Sequence, residues 1–232
     1  MMRPALAFHP FEALAALRAV LRNPDDTAAV FRLLSAISGG APRALRARLA
    51  ASRRGAALLV QRPELLPRLR DRDALAALPA GTLGRAYLAF LDEGQLTAEG
   101  LVHASEAGER RGDATDAWLA DRLRDSHDLW HVVLGYHGDL IGESSLLAFT
   151  FAQTRAPGIG LLVAAALLRA ADPDARALIL DGLVRGLQSA WLPAVEWERL
   201  LDHDLDEVRT LLRVGAPRPY EPFWAHELAA AA

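Results

Sequence analysis

Apolar residues recur three and four positions apart along most of the chain, the spacing of one face of an α-helix. Ala, Leu, Arg and Glu fill these segments, while β-branched runs and Asn-Gly hairpin turns are missing. The pattern predicts helices over Phe11 to Leu21, closed at Asn23-Pro24, and over Asp26 to Ile37, stopped by Gly39-Gly40. A third runs from Pro42 to Leu59 and carries Arg43, Arg46, Arg48, Arg53 and Arg54. Pro63, Pro67 and Pro79 cut the next stretch into short pieces. A compact helix follows over Thr82 to Leu91, with Tyr87 and Phe90 on it and Gly94 ending it. Asp113, with Asp116 three residues on, is the predicted N-cap of a helix running to about Gly135. Another begins near Leu140, is broken or kinked at Pro157 and resumes to Ala171. Asp172-Pro173 opens the next, with proline in the tolerated first turn. Helices near Trp191 to Leu201 and Asp204 to Leu212 precede a Pro-rich tail. With no linker, low-complexity stretch or internal repeat, the expected fold is an all-α helical bundle, one domain over residues 1–232.

Composition narrows the chemistry. The chain lacks cysteine, which removes disulfides, thiolate nucleophiles and structural zinc thiolates. All 26 basic residues are arginine, so Schiff-base chemistry and a P-loop lysine are excluded too. A net charge of −3 argues against nucleic acid as a partner. The most apolar stretch, Gly158 to Leu168, ends at Arg169 and Asp172, well short of the roughly 20 residues that span a bilayer. Nothing near Met1 to Ala7 has the form of a signal peptide, so a soluble or peripheral protein is expected.

One segment carries candidate chemistry: His127-Asp128-Leu129-Trp130-His131, followed by Glu143. His127 and His131 are i and i+4 and project from one helical face, continuing the stripe Leu119, Leu123, His127, His131, so both imidazoles are expected to be buried. Asp128 lies about 100° round the helix, on the edge of that face. Along a single straight helix Glu143 would stand about 18 Å from His131, whereas ligand bonds to a metal are about 2 Å. The chain must therefore turn back, and Gly135, Gly138 and Gly142 are where it can. Two antiparallel helices would then bring two imidazoles and one or two carboxylates to a metal site between them, a set that suits Zn²⁺ with an open position, or Fe²⁺ or Mn²⁺. Core packing is the competing explanation for histidines in an apolar stripe. His137 is a further potential ligand, though it sits in the expected turn; His9, His103, His203 and His226 show no paired spacing.

The pattern His-Asp-x-x-His, eleven residues, then Glu resembles the signature of the coenzyme Q biosynthesis protein 4 family. Leu78 to Gly94 is similar to that family's upstream Gly-x-x-Tyr-x-x-Phe block, Arg122 to Tyr136 to the metal motif, and Val195 to Val214 to its C-terminal Trp-Glu helix and Leu-Arg segment. The resemblance covers about residues 10–222. It implies an all-helical protein of ubiquinone biosynthesis, with His127, Asp128, His131 and Glu143 as metal ligands and zinc as the usual ion. It further implies a lyase: a polyprenyl-4-hydroxybenzoate C1 decarboxylase that couples loss of the carboxylate to hydroxylation at that carbon. The implied partners are polyprenylated benzoate and quinone intermediates, other enzymes of the pathway and a membrane surface, and a homo-oligomer is compatible with it. A bacterial member would be cytoplasmic and peripheral on the inner membrane.

The residues leave other readings open. Phe149, Phe151 and the leucines from Leu161 to Leu168 serve either as a groove for an isoprenoid tail or as ordinary core. Arg43 to Arg54 either bind anionic headgroups or form a solvated face. The oxidant is not visible, Gly158-Ile159-Gly160 being only a fragment of a dinucleotide fingerprint. An HD-type phosphohydrolase would need His103 with Asp181 or Asp202 to join His127-Asp128. A metal-stabilised scaffold for polyprenyl lipid and pathway enzymes needs only the ligands, and no acid–base pair stands apart from them. A ferritin-like di-iron site is disfavoured because Glu-x-x-His is missing.

Overall fold

A computed structural model describes residues 9–23, 26–37, 41–105 and 113–223. All regular elements among them are helical. In chain order these are α1 (Pro10–Arg22), α2 (Thr27–Ile37), α3 (Ala41–Ala50), α4 (Arg53–Gln61), α5 (Leu66–Arg70), α6 (Arg72–Ala76), α7 (Leu83–Gly94) and α8 (Gly100–Ser105). The second half holds α9 (Ala114–Asp125), α10 (His127–Leu134), α11 (Leu140–Thr154), α12 (Pro157–Arg169), α13 (Pro173–Gln188) and α14 (Leu205–Leu212). None of these helices is long and apolar enough to cross a membrane.

Capping explains most boundaries. Asp113 accepts from the Thr115 and Asp116 amides, and Asp116 reaches back to the Asp113 amide, closing the predicted capping box. Asp172 caps α13, and Thr82 caps α7. The Gly39-Gly40 stop and His226 lie outside the described residues.

Three predicted helices divide. The expected helix from Pro42 to Leu59 breaks because Ser52 turns extended and caps α4, its hydroxyl accepting from the Gly55 amide at 3.0 Å. The expected helix from Asp113 to Gly135 is interrupted at Ser126, whose hydroxyl donates to the Leu123 carbonyl. Trp191 to Leu201 is not an α-helix but two 3₁₀ turns, Leu192–Ala194 and Trp197–Arg199, with Trp191 and Val195 extended. There the buried Arg122 guanidinium takes the Val195 carbonyl at 2.8 Å, a group that a continuous helix would use itself.

The main core gathers side chains of α7, α10 and α14 with Phe149, Trp197 and Leu201 around Leu129, Val133 and Leu134, all three fully buried. α13 lies along α11 at very short range: a Cβ at Gly182 would strike the Ser145 carbonyl, and one at Gly186 would stand 2.7 Å from the Phe149 carbonyl. Phe149 is fully buried, edge-on to Trp130 at 5.9 Å, and so belongs to the core. α12 is two-sided, with Leu162 and Val163 buried and Leu161 and Leu168 exposed.

Candidate metal centre

α10 is a short helix sunk in the core, and its C-terminus points at two arginines. Arg209 donates to the Val132 and Val133 carbonyls, and Arg185 to the Leu134 carbonyl, each at 3.1 Å. These cations satisfy carbonyls that a helix end leaves unpaired and oppose its negative dipole. Gly135 then turns left-handed, with φ of +73°, and its amide bonds to the His131 carbonyl. Asp139 caps α11 through the Ile141 and Gly142 amides, which puts Glu143 in the first turn of the returning helix. At Gly142 there is no room for a Cβ, which would meet the His137 carbonyl and stand 2.5 Å from the Tyr220 hydroxyl. The turn expected between Gly135 and Gly142 therefore exists, and it closes the 18 Å gap of a straight helix.

The result is a convergence of His127, His131 and Glu143, one ligand atom from each lying within 4.8 Å of the others. His131 Nε2 is 3.2 Å from Glu143 Oε1, and His127 Nε2 is 3.7 Å from Oε2. Two ligands about 2.05 Å from one tetrahedral ion would stand about 3.3 Å apart, between those two distances. His131 is wholly buried, His127 and Glu143 are partly exposed, and the expectation that both imidazoles are buried therefore holds for His131 alone.

Hydrogen bonding assigns the tautomers. His131 Nδ1 faces the Tyr136 carbonyl at 3.2 Å, and a carbonyl only accepts, so Nδ1 carries the proton. His127 Nδ1 faces the Asp128 carboxylate at 3.1 Å, with the same consequence. In its neutral form each imidazole then turns the Nε2 lone pair toward a third acceptor, the Glu143 carboxylate. His131 Nε2 is buried and makes no aligned hydrogen bond despite that proximity. Acceptors confront one another stably only with a cation between them. Burial lowers the His127 pKa, but the hydrogen bond to Asp128 and the charges of Glu143 and Asp128 outweigh it and raise the group. Burial raises the Glu143 carboxyl; the charge and N–H donation of the facing imidazoles in their protonated form outweigh it and hold it down at about 2.

Asp128, the fourth residue of the expected set, is buried and aims Oδ1 at His127 from behind, the arrangement by which a carboxylate fixes a metal-binding imidazole. His137 lies outside the cluster and pairs with Glu93 at 3.2 Å. His103 is exposed on α8, Asp181 faces Arg218 at 3.5 Å and Asp202 faces His203 at 3.9 Å, so none of the three approaches the site in the manner an HD-type hydrolase needs. Among the arginines from Arg43 to Arg54, Arg46 pairs with Asp113 and Asp116, and Arg48 lies over the Trp191 ring at 4.2 Å. Two neighbours of the site carried no chemical role in the sequence. Phe90 stacks on the His131 imidazole at 5.2 Å, and Tyr87, buried one turn earlier, has its phenol pushed up by burial and by the Asp128 charge. Their only signal was their place in the upstream block that carries the family resemblance.

Residues 9–218 match the family described as coenzyme Q (ubiquinone) biosynthesis protein Coq4. The chain belongs to the Coq4 family. Among its relatives, the ubiquinone biosynthesis protein COQ4 homolog, mitochondrial, of Danio rerio is 32% identical over 178 residues, which are 75% of this chain and 64% of that protein. The ubiquinone biosynthesis protein coq4, mitochondrial, of Aspergillus flavus is 33% identical over 166 residues, 70% of this chain and 57% of that one. The matched region thus spans about three fifths of these Coq4 relatives. The fold is also that of a crystallised ubiquinone biosynthesis protein from Nostoc punctiforme, with a TM-score of 0.68 at 24% identity, covering 90% of this chain and all of that one.

Proposed function

We propose that this Coq4 protein is a metal-dependent enzyme of ubiquinone biosynthesis that exchanges the C1 carboxylate of a polyprenylated 4-hydroxybenzoate for a hydroxyl group. The observation that carries the reading is the pair of imidazole Nε2 atoms facing the Glu143 carboxylate, each ring held from behind at Nδ1 by an acceptor. His127, His131 and Glu143 would hold the ion, with Asp128 orienting His127 or joining as a fourth ligand. Two nitrogens and a carboxylate with a free position fit zinc first, and iron or manganese after it. The bound ion would supply Lewis acidity toward the substrate's carboxylate or phenolate.

The remaining work falls to the chain. His131 is wholly buried beneath Phe90, whose ring keeps water from that face of the imidazole. Glu143 is 43% exposed, so substrate reaches the site from its side. The exchange removes two electrons from the ring. With dioxygen as oxidant it balances as aryl carboxylic acid, dioxygen and water giving the phenol, carbon dioxide and hydrogen peroxide. Because the substrate is a lipid and no described helix spans a bilayer, the protein would work at a membrane surface beside other enzymes of the pathway.

The test begins with elemental analysis of the purified protein, which should carry about one divalent ion per chain, lost in His131→Ala and Glu143→Ala. The metal-loaded protein is then given polyprenylated 4-hydroxybenzoate, labelled in the carboxyl carbon, in aerobic vesicles. Labelled carbon dioxide should appear with wild type and not with either variant. Unchanged metal content in both variants would overturn the site, and a loaded protein that leaves the carboxylate in place would overturn the reaction.

A further inference from the structure

The loop that joins the two ligand-bearing helices is held from behind by the C-terminal segment. Tyr220 reaches it across 83 residues of sequence, its hydroxyl accepting from the His137 amide at 2.9 Å and donating to Asp139 Oδ1 at 2.5 Å. The Phe223 amide donates to the other Asp139 oxygen at 2.8 Å, and the Leu140 amide bonds to the Phe223 carbonyl. Asp139 itself is 1% exposed. Burial and the Asp139 carboxylate push the Tyr220 phenol up, so it keeps its proton and donates.

The amide that Tyr220 holds has a second partner. The peptide between Tyr136 and His137 gives its N–H to the Tyr220 oxygen and offers its carbonyl to His131 Nδ1. A continuous chain of donors and acceptors therefore runs from the Asp139 carboxylate through the Tyr220 hydroxyl and the 136–137 peptide to His131. Hydrogen bonds in series polarise one another, so charge at the far end strengthens the Tyr136 carbonyl as an acceptor. It also fixes the plane of the peptide that selects the His131 tautomer. An ordinary neutral carbonyl thereby acts partly like the carboxylate that Asp128 supplies directly to His127.

From these contacts we infer that Tyr220 and Asp139 are positioning residues, forming a relay that holds the His131 imidazole with Nδ1 protonated and Nε2 bare toward the metal position. The metal consequence rests on the proposed function; the tautomer consequence does not.

The decisive variant is Tyr220→Phe, which keeps the ring that lies edge-on to His137 at 5.6 Å and removes only the hydroxyl. Arg218→Ala is the control, since it loosens the same segment at its contact with Asp181 without touching the relay. Zn²⁺ and Co²⁺ affinity is measured by chelator competition. The His131 tautomer is read from nitrogen-15 chemical shifts of the metal-free protein. Tyr220→Phe should weaken both ions about tenfold, the scale of losing an outer partner of a metal-bound histidine, and should populate both tautomers. Arg218→Ala should change neither. Asp139→Asn, which keeps an acceptor for the α11 cap but drops the charge, should fall between them and serves if Tyr220→Phe does not fold. His131 remaining wholly Nδ1-protonated in the relay variants would overturn the inference. So would ion affinities within twofold of wild type. If wild type binds neither ion, the proposed function fails and the tautomer measurement alone decides the relay.

Discussion

Glu198→Gln tests the contact that ties the metal-bearing segment to the C-terminal third of the chain. Arg122, with a side chain 3% exposed, gives one nitrogen to Glu198 Oε1 at 2.6 Å and another to Oε2 at 3.0 Å. Glutamine keeps the volume and one acceptor but leaves the guanidinium charge uncompensated among buried groups. Breaking a buried pair from one side costs about 3–5 kcal/mol. Glu198 is 16% exposed and the Val195 carbonyl still accepts from Arg122, so the lower end, about 3 kcal/mol, is expected. For a chain of this size that corresponds to about 6–12 °C in Tm. The pH dependence follows from the direction of the Glu198 shift. Burial raises its pKa, but the Arg122 hydrogen bond and charge outweigh it, leaving the folded value below the unfolded one. The pair's stabilisation is then complete above the unfolded glutamate value of about 4.3 and is lost as pH falls through the folded value. Urea unfolding followed by circular dichroism should show the full gap between wild type and variant at pH 7 and a closing gap in acid. A gap under about 1 kcal/mol at pH 7, the range of exposed pairs, would refute the reasoning, as would one that persists unchanged at low pH.

Gly142→Ala should destabilise by about 1–3 kcal/mol in thermal unfolding and lower metal occupancy, because the new Cβ meets the His137 carbonyl, which cannot move without shifting the ligand-bearing turn. An alanine variant as stable and as metal-loaded as wild type would mean that the turn is not tightly fixed. Asp128→Asn should leave the fold intact and weaken Zn²⁺ about 10–100-fold in chelator competition, since the amide oxygen still accepts from His127 Nδ1 but without charge. Unchanged affinity would remove Asp128 from the site altogether.

Local sequence signals carried most of the helices. Proline, glycine and capping aspartates act within a few residues, so Asp113 and Asp172 mark helix starts that the structure keeps. The same kind of argument found the candidate centre: the i, i+4 histidines share a face, and glycines permit the return that brings Glu143 to them. Two misses were local, at Ser52 and Ser126, while in the third a distant partner overrode local preference. Trp191 to Leu201 has helical spacing, yet Arg122, more than 70 residues earlier, takes the Val195 carbonyl and the Glu198 carboxylate. His127, the first residue after the Ser126 break, is half-buried, while His131 one turn on is sealed. Tyr220 sits in a Pro-rich tail with no periodicity, so its link to Asp139 has no local signature.

The three sequence blocks shared with the Coq4 family acquire one physical explanation from these contacts. The first supplies Phe90, stacked on His131, and Tyr87, close enough for the Asp128 charge to be felt. The second supplies the two imidazoles, Asp128 and Arg122. The third supplies Glu198, which neutralises Arg122, Trp197, which fills the core beside it, and Arg209, which satisfies the last carbonyls of α10. The first and third blocks thus pack on or cap the eight-residue helix that the second supplies. A short helix held this way by packing, by an ion pair and by capped carbonyls has little freedom to tilt. That rigidity keeps two imidazoles and a carboxylate a few ångströms apart. A geometry fixed in advance by its surroundings is what the metal site proposed above would require of this helix.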